Sequence, residues 1–328
     1  MSAWLPTAPC TPQFCVPRSQ DLRRGTVAAG VRLLAGLCAV VLGILLLPLA
    51  ALFEAGLRDR LTRGWTRTVI RFFGVRVQVE GAAPPPAPDP THVPTHVPTH
   101  VPTHAPTHAP THAGTSAPPP EAHGGVLVVA NHISWLDIPL VATLFPGRLL
   151  AKSDIRRWPV IGTVAELGGT LFVERDRLRA LPGTVRDIRD ALRAGSRVIV
   201  FPEGSTWCGR DQGRFTAAVF QAALDAGVAV RPVRIGYRPL GPAAFVGDDP
   251  LAVSLWRTVL ARGLTAEIAV LPLIPAGSHP DRRSLARAAQ RAVAHTAVAR
   301  DSANRPASSV HQCANSIPAP ASSERTLS

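Results

Sequence analysis

The stretch VLVVANHISWLD, residues 126–137, decides the fold class of this 328-residue chain. Its first five residues, Val126–Ala130, are apolar throughout and typical of a buried strand, and polar residues follow them directly. Further short apolar runs alternate with segments of helical patterning, at 181–193 and 216–226 for example. These runs lie at 149–150, 170–173, 198–201, 228–235 and 267–271. The alternation predicts an α/β fold, with a mixed, partly parallel sheet flanked by helices.

A histidine and a carboxylate follow the first of these strands. In open α/β sheets, ligands bind beyond the carboxyl ends of the strands. If the chain turns between them, Asp137 would hold one ring nitrogen of His132 and leave the other free to accept a proton. Asp137 would equally suit the N-cap of a helix that begins at Ile138-Pro139. The two roles are compatible.

Two more polar clusters follow later strands. The sequence FPEGST, residues 201–206, places Glu203 at a strand end, and Gly204 permits an unusual backbone turn. The sequence FVERD, residues 172–176, contains Arg175, whose forked donors match the oxygens of a phosphate.

These clusters carry a family resemblance. Residues 131–137 match the N-H-x-x-x-x-D pattern of the glycerolipid acyltransferases, the family of the 1-acylglycerol-3-phosphate (lysophospholipid) acyltransferases. Residues 201–206 resemble the F-P-E-G-[ST] block of that family, residues 169–175 its second block and residues 230–233 its fourth. The order and spacing agree as well. The resemblance covers roughly residues 65–275, apart from a repeat described below.

The resemblance implies an O-acyltransferase. His132, oriented by Asp137, would deprotonate a hydroxyl that attacks the thioester of acyl-CoA or acyl-carrier protein. The implied acceptor is lysophosphatidic acid, giving phosphatidic acid; another lysolipid, such as lyso-ornithine lipid, is the near alternative. The acyl donor is a co-substrate, and neither a cofactor nor a metal is implied. The substrate-binding residues would be Arg175, Glu203, Gly204, Asn131, Ser205 and Lys152.

The N-terminal region has the pattern of a membrane element. Residues 33–53 contain no charge, and this length would cross the hydrocarbon layer as a helix, although Pro48 would also allow it to re-enter. Residues 57–73 then predict a basic amphipathic helix, which suits either a membrane surface or packing on the domain. The arginines that follow the apolar run favour a cell-membrane protein with its main domain on the cytoplasmic face.

The net charge of +13 follows from 35 basic and 22 acidic residues. Beside an apolar run it indicates anionic membrane lipids as partners, and no nucleic-acid-binding motif is present. Hydrophobic residues at 46% and charged residues at 17% exclude a wholly disordered chain.

A Pro-Thr-His repeat interrupts the predicted domain. Residues 90–113 contain six copies, which supply six of the eleven histidines. Metal binding is one interpretation, and it leads to a remote alternative function, a metal-binding protein or a non-catalytic membrane scaffold. However, proline at every fourth residue favours polyproline II, in which successive histidines point about 120° apart. We therefore expect a disordered insertion in a loop.

The predicted organisation has four parts. Residues 1–29 would form a disordered tail, 30–74 a membrane-anchoring helical element, 75–300 the acyltransferase domain with a disordered insertion at 82–120, and 301–328 a second disordered tail. The five cysteines show no C-x-x-C pair, so neither a zinc ribbon nor a disulfide scaffold is expected.

Overall fold

The computed structural model describes residues 8–16, 25–50, 52–81, 125–158, 161–174 and 177–304. Three predictions concern residues outside this description: the Pro-Thr-His insertion, the role of Arg175, and the C-terminal tail from residue 305 onward. The division into domains stays a prediction.

The centre of the molecule is a seven-stranded sheet in the order β1-β7-β6-β2-β5-β3-β4. Its strands are β1 (Arg76–Glu80), β2 (Val126–Ala130), β3 (Arg148–Lys152), β4 (Leu171–Val173), β5 (Arg197–Val200), β6 (Val230–Arg238) and β7 (Thr265–Val270). All neighbouring pairs are parallel except β6 and β7. The carboxyl ends of β6, β2, β5, β3 and β4 therefore lie at one edge.

Helices cover both faces of the sheet. They are α1 (Pro12–Cys15), α2 (Thr26–Ala50), α3 (Ala55–Phe72), α4 (Asp137–Ala142), α5 (Ile161–Leu167), α6 (Leu181–Arg193), α7 (Ala218–Ala226), α8 (Leu251–Leu260) and α9 (Arg282–Asn304). Helices α2, α3, α4 and α8 pack on one face, and α6, α7 and α9 on the other. In β2, Val128 belongs to the first core and Val129 to the second, which explains why this strand is apolar at every position.

The apolar helix α2 packs on the amphipathic helix α3 through small residues. A Cβ at Gly36 would clash with the ring of Phe73, and one at Gly43 would overlap the ring of Trp65. The indole Nε1 of Trp65 donates to the carbonyl of Ala39 at 2.9 Å. Elsewhere α2 exposes large apolar side chains, and by length and composition it is the one described helix able to cross a membrane.

The structure confirms the predicted fold class but differs from the predictions for three segments. Part of the segment predicted as a disordered tail is described: residues 8–16 pack on the domain, and α2 begins at Thr26. Helix α8 was not predicted from the sequence. The apolar face predicted for residues 57–73 is buried only in part, because Val69 is buried while Leu57 and Leu61 are exposed.

Candidate active site

The first two polar clusters meet at one edge of the sheet. The segment after β2 carries His132 and the loop after the neighbouring β5 carries Glu203, and the two strands pair in parallel. A backbone hydrogen bond from Trp207 N–H to the His132 carbonyl, 2.8 Å long, ties that loop to the segment after β2. The site therefore lies where two parallel strands end.

His132 and Asp137 form a direct pair. Nδ1 of His132 lies 2.8 Å from Oδ2 of Asp137, whose side chain is completely buried. The same oxygen accepts backbone N–H bonds from Ile133 at 2.6 Å and Ser134 at 2.8 Å. An ionised carboxylate only accepts hydrogen bonds, so the proton on the imidazole belongs on Nδ1, and Nε2 keeps its lone pair. Nε2 can therefore accept a proton from a substrate.

The prediction that Asp137 caps a helix is wrong. Helix α4 begins at Asp137 itself, its N-cap residue is Leu136, and no side chain caps it. The carboxylate is instead turned back onto the preceding segment, 132–134. It fixes the turn that carries the histidine as well as the histidine ring.

Tyr237 completes the set of donors around Asp137, and the sequence analysis missed it. Its hydroxyl donates to Oδ1 of Asp137 at 2.6 Å. The side chain is almost fully buried, and burial, together with the charge of Asp137, raises the pKa of Tyr237 well above its usual value, so it stays a donor. It is the only tyrosine in the chain and lies 100 residues from its partner. Its rarity was the single signal available from the sequence.

A ring from the neighbouring strand end fixes the plane of the imidazole. Phe201 stacks on His132 with ring centroids 4.2 Å apart and an angle of 16° between the planes. The His132 side chain is still 20% exposed. The imidazole is therefore held on one edge and one face while keeping access to solvent.

Glu203 is buried beside this pair. It is 2% exposed, and its Oε2 accepts the backbone N–H of His132 at 3.0 Å. Burial raises the pKa of Glu203 to about 8, and the charge of Asp137 acts in the same direction. At neutral pH the carboxyl is mainly protonated and retains an O–H donor. Gly204, which follows it, has φ +72°, a left-handed conformation that glycine adopts without strain.

The remaining predicted residues occupy different environments. Asn131 uses its side-chain amide to bridge the backbone of Ile235 on β6, at 2.9 and 2.8 Å, which suits a positioning role. Ser205 has a buried Oγ with no partner among the described residues. Lys152 ends β3, two strands from β2, and forms an ion pair with Asp154.

A cleft of about 600 Å³ opens beside Glu203. Two exposed arginines that the sequence analysis did not single out, Arg214 and Arg283, line it. Its other lining residues are Ser205, Trp207, Thr216 and Ala217. The cleft thus combines a neutral acid with two cations and would accommodate an anionic group.

Fold and site together define an α/β protein with a histidine–carboxylate pair arranged for general-base chemistry. A profile of the acyltransferase family matches residues 99–236. A 1-acyl-sn-glycerol-3-phosphate acyltransferase of Neisseria gonorrhoeae is 36% identical over 174 residues, which are 51% of this chain and 68% of the relative. The chain belongs to this acyltransferase family, which confirms the resemblance seen in the motifs.

Other relatives extend this comparison. A lyso-ornithine lipid O-acyltransferase of Pseudomonas aeruginosa is 41% identical over 172 residues, 51% of this chain and 66% of the relative. The alignments with these two relatives thus span about two thirds of their length. The crystal structure of a 1-acyl-sn-glycerophosphate acyltransferase from Thermotoga maritima shares the fold, with a TM-score of 0.58, 18% identity, and coverage of 85% of this chain and 98% of that one.

Proposed function

We propose that this protein transfers a fatty acyl chain from acyl-CoA or acyl-carrier protein to the free hydroxyl of a lysolipid. The observation that carries the proposal is the His132–Asp137 pair, in which the carboxylate binds Nδ1 and leaves Nε2 free. The pair lies within the segment that matches the acyltransferase family. No nucleophile of the enzyme is required.

In the proposed reaction His132 acts first as a base and then as an acid. Nε2 accepts the hydroxyl proton of the acceptor while the oxygen attacks the thioester carbonyl, and the tetrahedral intermediate then expels the thiolate. The thiolate takes the proton from Nε2, which returns the imidazole to its neutral form. Asp137 stabilises the imidazolium between the two steps, and a positioned base of this kind contributes ~10²–10⁴-fold.

The acceptor is lysophosphatidic acid or lyso-ornithine lipid, and relatives named for each acceptor support both. For lysophosphatidic acid we assign phosphate binding to Arg175, with Lys152 as a further cation. Glu203 and Ser205 would orient the reacting hydroxyl, because Glu203 keeps a proton to donate and the Ser205 hydroxyl lacks a partner among the described residues.

The proposed location is the cell membrane, with the catalytic domain on the cytoplasmic face. Helix α2 is long and apolar enough to anchor the chain. Arginines on α3 would bind anionic headgroups. A lipid acceptor would then reach the site from the bilayer. The remote alternative is a non-catalytic scaffold. A scaffold would not need the hydrogen bonds that hold Asp137 against His132.

The test is acyl transfer by membranes that contain the wild-type protein, His132→Ala or Asp137→Asn. Each lysolipid is offered with acyl-CoA and with acyl-carrier protein, and products are read by mass spectrometry. We expect both variants to lose ~10²–10⁴-fold in rate while still reaching the membrane. Unchanged product formation in His132→Ala would contradict the mechanism.

Arg175→Ala separates the two acceptors. If Arg175 binds phosphate, this variant raises KM for lysophosphatidic acid and leaves KM for lyso-ornithine lipid unchanged. An equal effect on both acceptors would refute the phosphate assignment.

A further inference from the structure

Three cysteines from distant parts of the sequence meet in the folded chain. Cys10 precedes α1, Cys15 ends it, and Cys208 follows the loop that carries Glu203. The three Sγ atoms all lie within 4.8 Å of one another. Each residue is at most 2% exposed, and all three are free thiols. The cluster was not predicted, because these cysteines form no C-x-x-C pair in the sequence.

The arrangement matches the requirements of a tetrahedral thiolate site. Cys10 and Cys15 are separated by four residues, a spacing within the range that places two ligands on one metal ion. Zinc bonds sulfur at about 2.3 Å, which places the sulfurs of a tetrahedral site about 3.8 Å apart. The third sulfur, that of Cys208, comes from the segment that follows β5, against which residues 8–16 pack. Small adjustments of side chains already in mutual contact would therefore complete the ligand set.

A metal ion binds cysteine as the thiolate, so it would replace the protons of these thiols. The three sulfurs are buried together, and one cation could bind all of them.

We propose that Cys10, Cys15 and Cys208 bind a zinc ion that joins the N-terminal segment to the candidate active-site loop. Binding would release the thiol protons and leave three thiolates on the metal. Among the described residues, no histidine or carboxylate joins the group, so a water molecule would take the fourth position. Thiolate ligands favour zinc over calcium or magnesium.

The site would hold the N-terminal segment against the loop that follows β5. Arg210 also links the two segments, because its guanidinium donates to the Phe14 carbonyl at 3.4 Å. Cys208 lies five residues after Glu203 and directly follows Trp207, which donates its backbone N–H to His132. A metal at Cys208 would therefore restrict the loop that positions the candidate base.

The test measures bound metal rather than activity, so its outcome does not depend on the proposed acyl transfer. The full-length protein, carrying a tag without histidine, is purified in detergent under reducing conditions. Zinc is quantified by mass spectrometry for the wild type, Cys10→Ser, Cys15→Ser and Cys38→Ser. Cys38 is an exposed cysteine of α2 and serves as the matched control. Cobalt substitution distinguishes sulfur ligands, through their charge-transfer absorption, from the histidines of residues 90–113.

We expect about one zinc per chain in the wild type and in Cys38→Ser, and at least a tenfold loss in both other variants. The cobalt form should show thiolate charge-transfer absorption that is absent from Cys10→Ser and Cys15→Ser. Equal zinc content in all four proteins would overturn the proposal, since the metal would then reside elsewhere. A metal-free wild type, whether its cysteines are free or joined as a disulfide, would overturn it as well.

Discussion

Each oxygen of Asp137 has a defined task. Oδ2 holds the ring of His132 and accepts two backbone N–H groups, while Oδ1 accepts the Tyr237 hydroxyl. A buried carboxylate needs such donors, because a buried polar oxygen without a hydrogen-bond partner costs free energy. Tyr237 is therefore a positioning residue that acts on His132 through Asp137.

Tyr237→Phe keeps the ring and removes the donor. We expect the free energy of unfolding to fall by about 1.5–3 kcal/mol, as for loss of a hydrogen bond to a charged group. We also expect kcat to fall about tenfold with KM unchanged, since the base is held less firmly. Steady-state kinetics and denaturant unfolding measure the two effects. Thr258→Val removes another buried hydroxyl, which donates to the Ser254 carbonyl and not to Asp137, so this variant should lose stability but keep kcat.

Because the pKa of Glu203 is raised, the stability of the protein should fall as the pH rises. The pKa of Glu203 is about 8 in the folded chain, against an ordinary value of 4.5, so its contribution to the free energy of unfolding is full below pH 4.5 and lost as the pH rises to 8. Between pH 6 and 8 the wild type should lose about 2 kcal/mol relative to Glu203→Gln, which cannot ionise. Unfolding curves at several pH values test this expectation. Glu54→Gln, a change at an exposed glutamate, is the control, and its free energy of unfolding should change with pH as in the wild type. If the free energy of unfolding of Glu203→Gln changed with pH in the same way, the ionisation of Glu203 would not affect stability.

Among the elements, the contact between α2 and α3 depends on the absence of side chains. Gly36, Ala39 and Gly43 are spaced three and four residues apart and form one face of α2. The rings of Phe73 and Trp65 lie against this face. An apolar helix that packs through small residues can keep its large side chains directed outward, toward lipid.

Gly43→Ala should destabilise this contact although alanine is the better helix former. The new methyl group would displace the Trp65 ring and disturb its hydrogen bond to Ala39, at an expected cost of about 1–3 kcal/mol. Gly30→Ala in the same helix meets nothing within 4 Å and should be neutral or stabilising by up to about 1 kcal/mol. Thermal unfolding in detergent compares the two variants. Equal melting temperatures for Gly43→Ala and Gly30→Ala would argue against the packing of Gly43 on Trp65.

On the scale of the whole molecule, sheet direction places the two strand ends that flank the insertion away from the site. Strand β1 is parallel to β7, β7 is antiparallel to β6, and β6 is parallel to β2. Strand β1 therefore ends, and β2 begins, at the edge opposite to His132. The Pro-Thr-His residues connect these two strand ends.

Deletion of residues 90–113 should consequently leave kcat and KM within about twofold of wild type. The assay is acyl transfer by membranes with matched amounts of the two proteins. A large loss of activity that added zinc restores would favour a metal-dependent role for the histidines and contradict this expectation.

The sequence by itself determined the class of sheet, because apolar runs of strand length that alternate with helical segments are typical of buried, largely parallel strands. It also predicted His132, Asp137 and Glu203, because they follow apolar runs directly and match motifs of the acyltransferase family. Tertiary structure decided the partners that come from far along the chain. Tyr237, Arg283 and the three cysteines reach their positions only because strand order and the packing of residues 8–16 bring them there. Spacing along a chain does not encode such contacts.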